Sequence, residues 1–378
     1  MTENSFLTSS LYLEAAEAAK TIINDASARH LDIFGKTWFT KHFRMADFAR
    51  TEGEFTAILA DLHAAPAAST INQYSERPIR SLDGFGKVKA EMLTHAHTYK
   101  LEAEDLRAIA IQQRILSGYS DRAKLFDFIV NKLMNIRERA IKGVLNRIDY
   151  IILEMLSNEG QYTFTEQNDP ASPYVGQTIS FGFDPSHAGN VTVAWTEANK
   201  SSVNILEDIM GVYNAAEVKP VKMLMRTEQL MYMLTTDKMK LYVNGTDRAS
   251  APISVTDVNN LLARYGLPSI ELVQADIRIN KNGGKSYSMV QPWKEGKILF
   301  VPQDNFGTIE HQVTDADLGL KSPGVEYSKY NGIEVTSWTQ GLKEGTNYTE
   351  FVSAGITATP VVDTIKNMYS LDVLKTAN

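Results

Sequence analysis

Between Ser120 and Gly160 the apolar residues Leu125, Ile129, Leu133, Ile136, Ala140, Val144, Ile148, Ile151 and Met155 recur in steps of three and four. That spacing places them on one face of a helix. Ser120 suits the N-cap, Asp121 the positive end of the helix dipole, and Gly160 the left-handed residue that ends a helix. A helix of about 38 residues would reach about 57 Å, longer than a small domain is wide. The mean step of about 3.75 residues exceeds the 3.5 of a left-handed coiled coil, so the stripe drifts and a sheet is the expected partner. Arg122, Lys132, Arg139, Lys142 and Arg147, mixed with Asp127, Glu138, Asp149 and Glu154, fill the other face. They read as a solvated surface or one that meets neighbouring subunits.

Before this helix the chain is poorer in core material. Tyr12 to Ala26 has the spacing of a short amphipathic helix, and an aromatic connector holding Phe34, Trp38 and Phe39 follows; together they read as an arm over 1–40. Met45 to Leu62 predicts strand and turn elements that join the body. Pro66 to Lys100 contains two strand-like runs, Thr70 to Leu82 and Lys87 to Tyr99, around Asp83-Gly84-Phe85-Gly86, a hairpin signal. A long two-stranded hairpin with few apolar groups needs an external surface to rest on. Arg77, Arg80, Lys87 and Lys89 make it locally basic and are the candidate inter-subunit contacts. Leu101 to Leu116 has helical spacing.

After Gly160 the pattern shortens. Thr178 to Phe183 and Val191 to Trp195 predict strands, Val203 to Ala216 a helix, and Val221 to Met225 a buried strand. Thr227 is placed to cap a helix running through Leu234, and Ser254 one over Val255 to Tyr265, ended by Gly266 and Pro268. Ile270 to Ile279, Tyr287 to Val290, Lys297 to Pro302 and Ile333 to Trp338 predict strands, and Thr357 to Val373 strands or a terminal helix.

Composition narrows the function. The chain has 378 residues, 43% hydrophobic and 22% charged, which fits an ordinary globular protein, and its mixture of helical and strand-like runs makes the expected fold class α+β. A net charge of −7 argues against a nucleic-acid binder held by a basic surface. No cysteine is present, which removes disulfides, thiol nucleophiles and cysteine-ligated zinc. Neither a signal peptide nor a membrane span is expected. His95 and His97 share one face of a strand but have no third ligand at a sensible spacing. Gly84-Phe85-Gly86 lacks the third glycine and the strand-to-helix setting of a phosphate loop, and Asn190, Asn199, Asn244 and Asn347 begin glycosylation triplets with no secretory signal to use them. No catalytic, cofactor or metal residues are assigned.

The order of arm, basic hairpin, long helix and α/β region, with Trp293-Lys294-Glu295-Gly296-Lys297-Ile298-Leu299-Phe300-Val301-Pro302 followed by Phe306-Gly307-Thr308, resembles the major capsid proteins of tailed bacteriophages. These have the Hong Kong 97 type of fold, and the resemblance is to the phage lambda capsid group within it. It covers most of the chain from about Ser27. The resemblance implies an arm at 1–40, a peripheral domain built from 41–65, 101–204 and 341–378 with a spine helix at 120–158, an extended loop at 66–100, and an axial domain at 205–340. It implies a non-enzymatic virion protein that assembles in the host cytoplasm into hexamers and pentamers and encloses double-stranded DNA without reading its sequence. A separate scaffolding protein, a portal and decoration proteins are the further candidate partners, with no membrane and no cofactor. A Lys-to-Asn crosslink as in some members would fall to Lys87 or Lys89, for which no acceptor is identified. A bacterial encapsulating shell with enzyme cargo and a soluble α/β enzyme are the alternatives.

Overall fold

The apolar stripe becomes one helix, α1, over Arg122–Ser157, 36 residues and about 54 Å long. This computed structural model describes residues 14, 18, 37–52, 54–59, 86–101, 122–248, 250–281, 286–340 and 349–376. Ser120 and Asp121, the expected start of the helix, and the expected helices at 12–26 and 101–116 lie outside those residues, apart from residues 14 and 18 and the strand residue Leu101. At the far end the Gly160 N–H donates to Met155 O (2.9 Å) with Gly160 at φ +72°, the left-handed stop that was expected.

The surface beneath α1 is a six-stranded sheet. Its centre is β16 (Thr349–Val362), which pairs antiparallel with β15 (Ile333–Gln340) along its first half and with β13 (Gly307–His311) along its second. β4 (Leu93–Leu101) pairs with β16 from Ala358 to Glu350. β14 (Val325–Tyr330) adds to β15, and β1 (Phe43–Met45) runs parallel to β13. Along β16 the buried Val352, Ala354, Ile356 and Ala358 alternate with half-buried residues, the period-2 signature of a sheet with one covered face. They meet Ala140, Val144, Ile148 and Met155 of α1 in the larger core.

The second body is a five-stranded sheet in the order β7 (Ala188–Val191), β17 (Tyr369–Thr376), β12 (Lys297–Val301), β8 (Lys222–Met225), β9 (Ser269–Leu272). Met223, Met225, Ile298 and Phe300 point into a core with α2 (Ile205–Ala215), α3 (Thr227–Thr235), α4 (Asp237–Asn244) and α5 (Val255–Arg264). Leu224, Leu299 and Val301 point the other way, into the core of α1. Burial on both faces explains why Ile298–Val301 reads as an unbroken apolar run.

Several expectations change. The run 87–99 divides in two: β3 (Gly86–Glu91) pairs with β2 (Glu54–Leu59), a partner not expected from the sequence, and after Met92 the chain continues as β4 inside the sheet. The expected hairpin residues 66–85 lie outside the described ones. Sheet pairing also cuts across the boundary placed at residue 340, because β13, β14 and β15 belong with β16, while β17 belongs with β12. Ile270 to Ile279 divides into β9 and β10 (Ile277–Lys281), the latter pairing with β11 (Ser286–Val290). Ser254 caps α5 in a reciprocal capping box with Asp257, whereas Thr227 is the first residue of α3 and Arg226 its N-cap.

Candidate assembly surface

The polar face of α1 is not solvated along its length. Every residue from Ile148 to Ser157 is buried. Asp149 accepts from the N–H groups of Trp38 (3.2 Å) and Phe39 (2.9 Å), so it ties the root of the N-terminal segment to the helix. Burial pushes its pKa up to about 6 against those two bonds. Glu154 accepts from Lys294 Nζ and Asn168 Nδ2, both at 3.2 Å. The charge pattern marked these two acids as surface residues, and only the tertiary partners reveal the opposite.

The same root joins the two bodies. His42 stacks on Phe306 with ring centroids 4.4 Å apart, and its Nε2 lies 2.8 Å from Glu271 of β9. Glu271 also pairs with Lys222 (3.0 Å), and Lys222 with Asp304 (2.9 Å). The hydrogen bonds that Lys222 donates to Asp304 and Glu271 raise its pKa.

Two surfaces stand out. The first is a cleft of about 950 Å³ bounded by residues 93–99 of β4, 139–147 of α1, the 169–174 loop and 277–280 of β10. His95 and His97 sit here, facing the helix. Burial, with the nearby Arg147 charge, lowers the His95 pKa to about 4, and burial lowers that of His97. The His97 ring lies against Gly143, where a Cβ would meet Cε1 and Nε2 at 2.6 Å. Among the described residues no three His, Asp or Glu side chains group as a metal site. Arg147 donates to Asn168 O (2.8 Å) and pairs with Asp169 (3.4 Å), which pins the loop to the helix.

The second is a groove of about 480 Å³ over α2, where Met210, Tyr242 and Tyr265 are exposed between Asn204, Glu207 and Asn214. A third apolar point is Phe48, 85% exposed. It sits at the tip of a bulge: Ala46 N–H donates to Ile309 O and Arg50 N–H to His311 O, leaving residues 47–49 looped out.

Of the predicted contact residues, Lys87 and Lys89 lie on β3 opposite Ile58 and Thr56, whereas Arg77 and Arg80 fall outside the described residues. Among the described residues no helix is long and apolar enough to cross a membrane.

No family model and no curated protein matches the sequence. Among solved structures the chain is similar to a prophage protein of Escherichia coli CFT073 assigned as a capsid protein, with 10% identity, 95% of this chain and 98% of that one covered, and a TM-score of 0.51. It is also similar to a phage-related protein of Bordetella bronchiseptica RB50 (12% identity, 94% and 97% covered, TM-score 0.43). A third similar structure is the satellite phage P4 procapsid with its size-determination protein (10% identity, 91% and 97% covered, TM-score 0.43). The first likeness, which spans nearly all of both chains, shows a shared fold.

Proposed function

We propose that this chain is the structural major capsid protein of a tailed bacteriophage, with the Hong Kong 97 type of fold, and that its copies form rings and a closed shell around double-stranded DNA. The observation that carries this is the end-to-end match of fold with the prophage capsid protein. The layout supports it. A two-stranded ribbon leaves the body at Met92, as expected of an element completed by a neighbour. In this reading α1 and its sheet form the peripheral domain, the body of α2 to α5 the axial domain, and the groove at Met210, Tyr242 and Tyr265 meets other copies. Lys87 and Lys89, with Arg77 and Arg80, contact the next subunit. The protein acts in the virion without catalysis, with scaffolding and portal proteins as partners.

Electron microscopy of the purified protein, alone and with its phage partners, tests the proposal. Closed particles tens of nanometres across are the expected result, and a permanently monomeric chain overturns it. Arg77→Glu with Arg80→Glu should reduce particle yield while leaving the circular dichroism of the monomer unchanged.

A further inference from the structure

His42 is buried, 3% exposed, and each ring nitrogen has a neighbour at 2.8 Å: the backbone O of Asp304 for Nδ1 and the carboxylate of Glu271 for Nε2. A backbone carbonyl only accepts, so Nδ1 carries a hydrogen. An ionised carboxylate also only accepts, so Nε2 needs a second one. Lys222 keeps that carboxylate charged by donating to its other oxygen at 3.0 Å. Burial works against the charge of Glu271, yet Lys222 and His42 together hold its pKa below the usual range. Lys222 then pairs with Asp304 Oδ1 at 2.9 Å, which closes a circuit of four residues. A neutral imidazole would turn one bare nitrogen toward a carboxylate, so the circuit closes only around an imidazolium.

The four residues come from separate parts of the fold. His42 lies between the short helical turn Phe39–Lys41 and β1, in the root of the N-terminal segment. Glu271 belongs to β9, the edge strand of the five-stranded sheet, Lys222 to β8, and Asp304 to the loop between β12 and β13. Phe306 stacks on the imidazole and Trp38 lies 4.7 Å from it, so aromatic rings flank the charge. The remaining charged groups about the root are Asp149 of α1, which holds the Trp38 and Phe39 N–H groups, the exposed Lys41 and Arg44 on the root itself, and Asp363 after β16, which feels the Arg44 charge.

We propose that His42 is a proton-operated latch: doubly protonated, it binds the root of the N-terminal segment to β9 and to the loop before β13, and loss of the Nε2 hydrogen frees Glu271 and lets the root detach. This goes beyond the shell reading and does not depend on it. The chain before Thr37 joins the body through this root, so the latch sets how firmly that segment is anchored. The latched root holds one proton more than a detached one, whose free imidazole is neutral above about pH 6.5. Rising pH therefore favours detachment, by at most about tenfold per unit.

The first test is nitrogen-15 NMR of the full chain with labelled histidine, the His42 signals being those lost in His42→Gln. At pH 7 both ring nitrogens should carry hydrogen, and a ring with one bare nitrogen overturns the latch. The second is amide hydrogen exchange of Phe39 to Met45 between pH 7 and 9, corrected for the intrinsic pH dependence of exchange. In that window Asp149, with its pKa of about 6, is already ionised and Lys222, with its raised pKa, stays charged. Protection of the root should fall about fivefold or more, within the one-proton limit, while β16 keeps its own; an equal fall in β16 would mean global loosening and refute a local latch. Glu271→Gln supplies the control, because its amide N–H donates to a neutral ring and its oxygen accepts from Lys222. Root protection in that variant should be flat across the window, and an unchanged pH dependence overturns the proposal. If Glu271→Gln fails to fold, the NMR of the unsubstituted chain decides alone.

Discussion

Gly307 lies so close to the Val361 backbone that a Cβ placed on it would sit 1.9 Å from the Val361 carbonyl oxygen. The two residues belong to β13 and β16, at the point where the sheet turns into the loop that carries Phe306. Gly307→Ala should therefore destabilise the fold by about 3 kcal/mol, as over-packing against immobile backbone does. Gly319 is the control. It has φ +79° and no atom within 4 Å of an added Cβ, so Gly319→Ala should cost only the conformational penalty of about 1 kcal/mol. Urea midpoints of the two variants separate the steric effect from the backbone effect; equal losses would refute it.

Removal of Phe306 should be costly for a different reason. Its ring stacks on His42 at 4.4 Å and meets Phe43 edge-on at 6.0 Å, fully buried. Phe306→Ala should lose about 3–5 kcal/mol. Because His42 reaches Glu271 from this stack, the variant should also lose cooperativity between the two bodies, seen as a broadened or split calorimetric transition.

Asp149 and His95 oppose each other in acid. The Asp149 pKa is raised from 3.8 to about 6, so between those values only the folded chain holds the proton and stability falls as pH rises. The His95 pKa is lowered from 6.5 to about 4, so in nearly the same window only the unfolded chain holds the proton and stability falls as pH drops. His97 and His311 act with His95, and Asp208 and Asp363 with Asp149. Asp149→Asn, which removes one side of the balance, should make the protein more acid-sensitive between pH 6.5 and 4 than the unsubstituted chain. Denaturation midpoints across that range check it, and parallel curves would contradict the assignment.

The contact between Gly143 and His97 predicts a coupled pair. Gly143→Ala should cost about 1–2 kcal/mol by driving a methyl into the imidazole. In a His97→Ala background the same change should be nearly neutral or stabilising, because alanine is the better helix former. A double-mutant cycle with no interaction energy would disprove the packing.

How much of this was legible in the sequence depended on how local its cause was. The α1 stripe, the Ser254 cap and the doubly buried Ile298–Val301 strand were readable because spacing or a short motif determines each. The partner of 86–91 was not, since β2 lies across residues 60–85 and two neighbouring runs competed for it. Asp149 and Glu154 were misplaced on a solvated face because the groups that justify their burial, Trp38 N–H and Lys294, are more than a hundred residues away. The cleft had a single local trace, the alternation that puts His95 and His97 on one side of β4. Its other walls come from three further segments that only the fold assembles.

The position of β16 in the chain also sets an order of events. β4, β13 and β15 are all made before the partner they share, which ends at Val362. Until the ribosome has released that strand, the sheet beneath α1 lacks its central member and three edges stand open, the condition in which nascent chains aggregate or are held by chaperones. A message cut short before β16 would therefore yield a chain unable to finish its central sheet, with β4, β13 and β15 left without the strand that joins them.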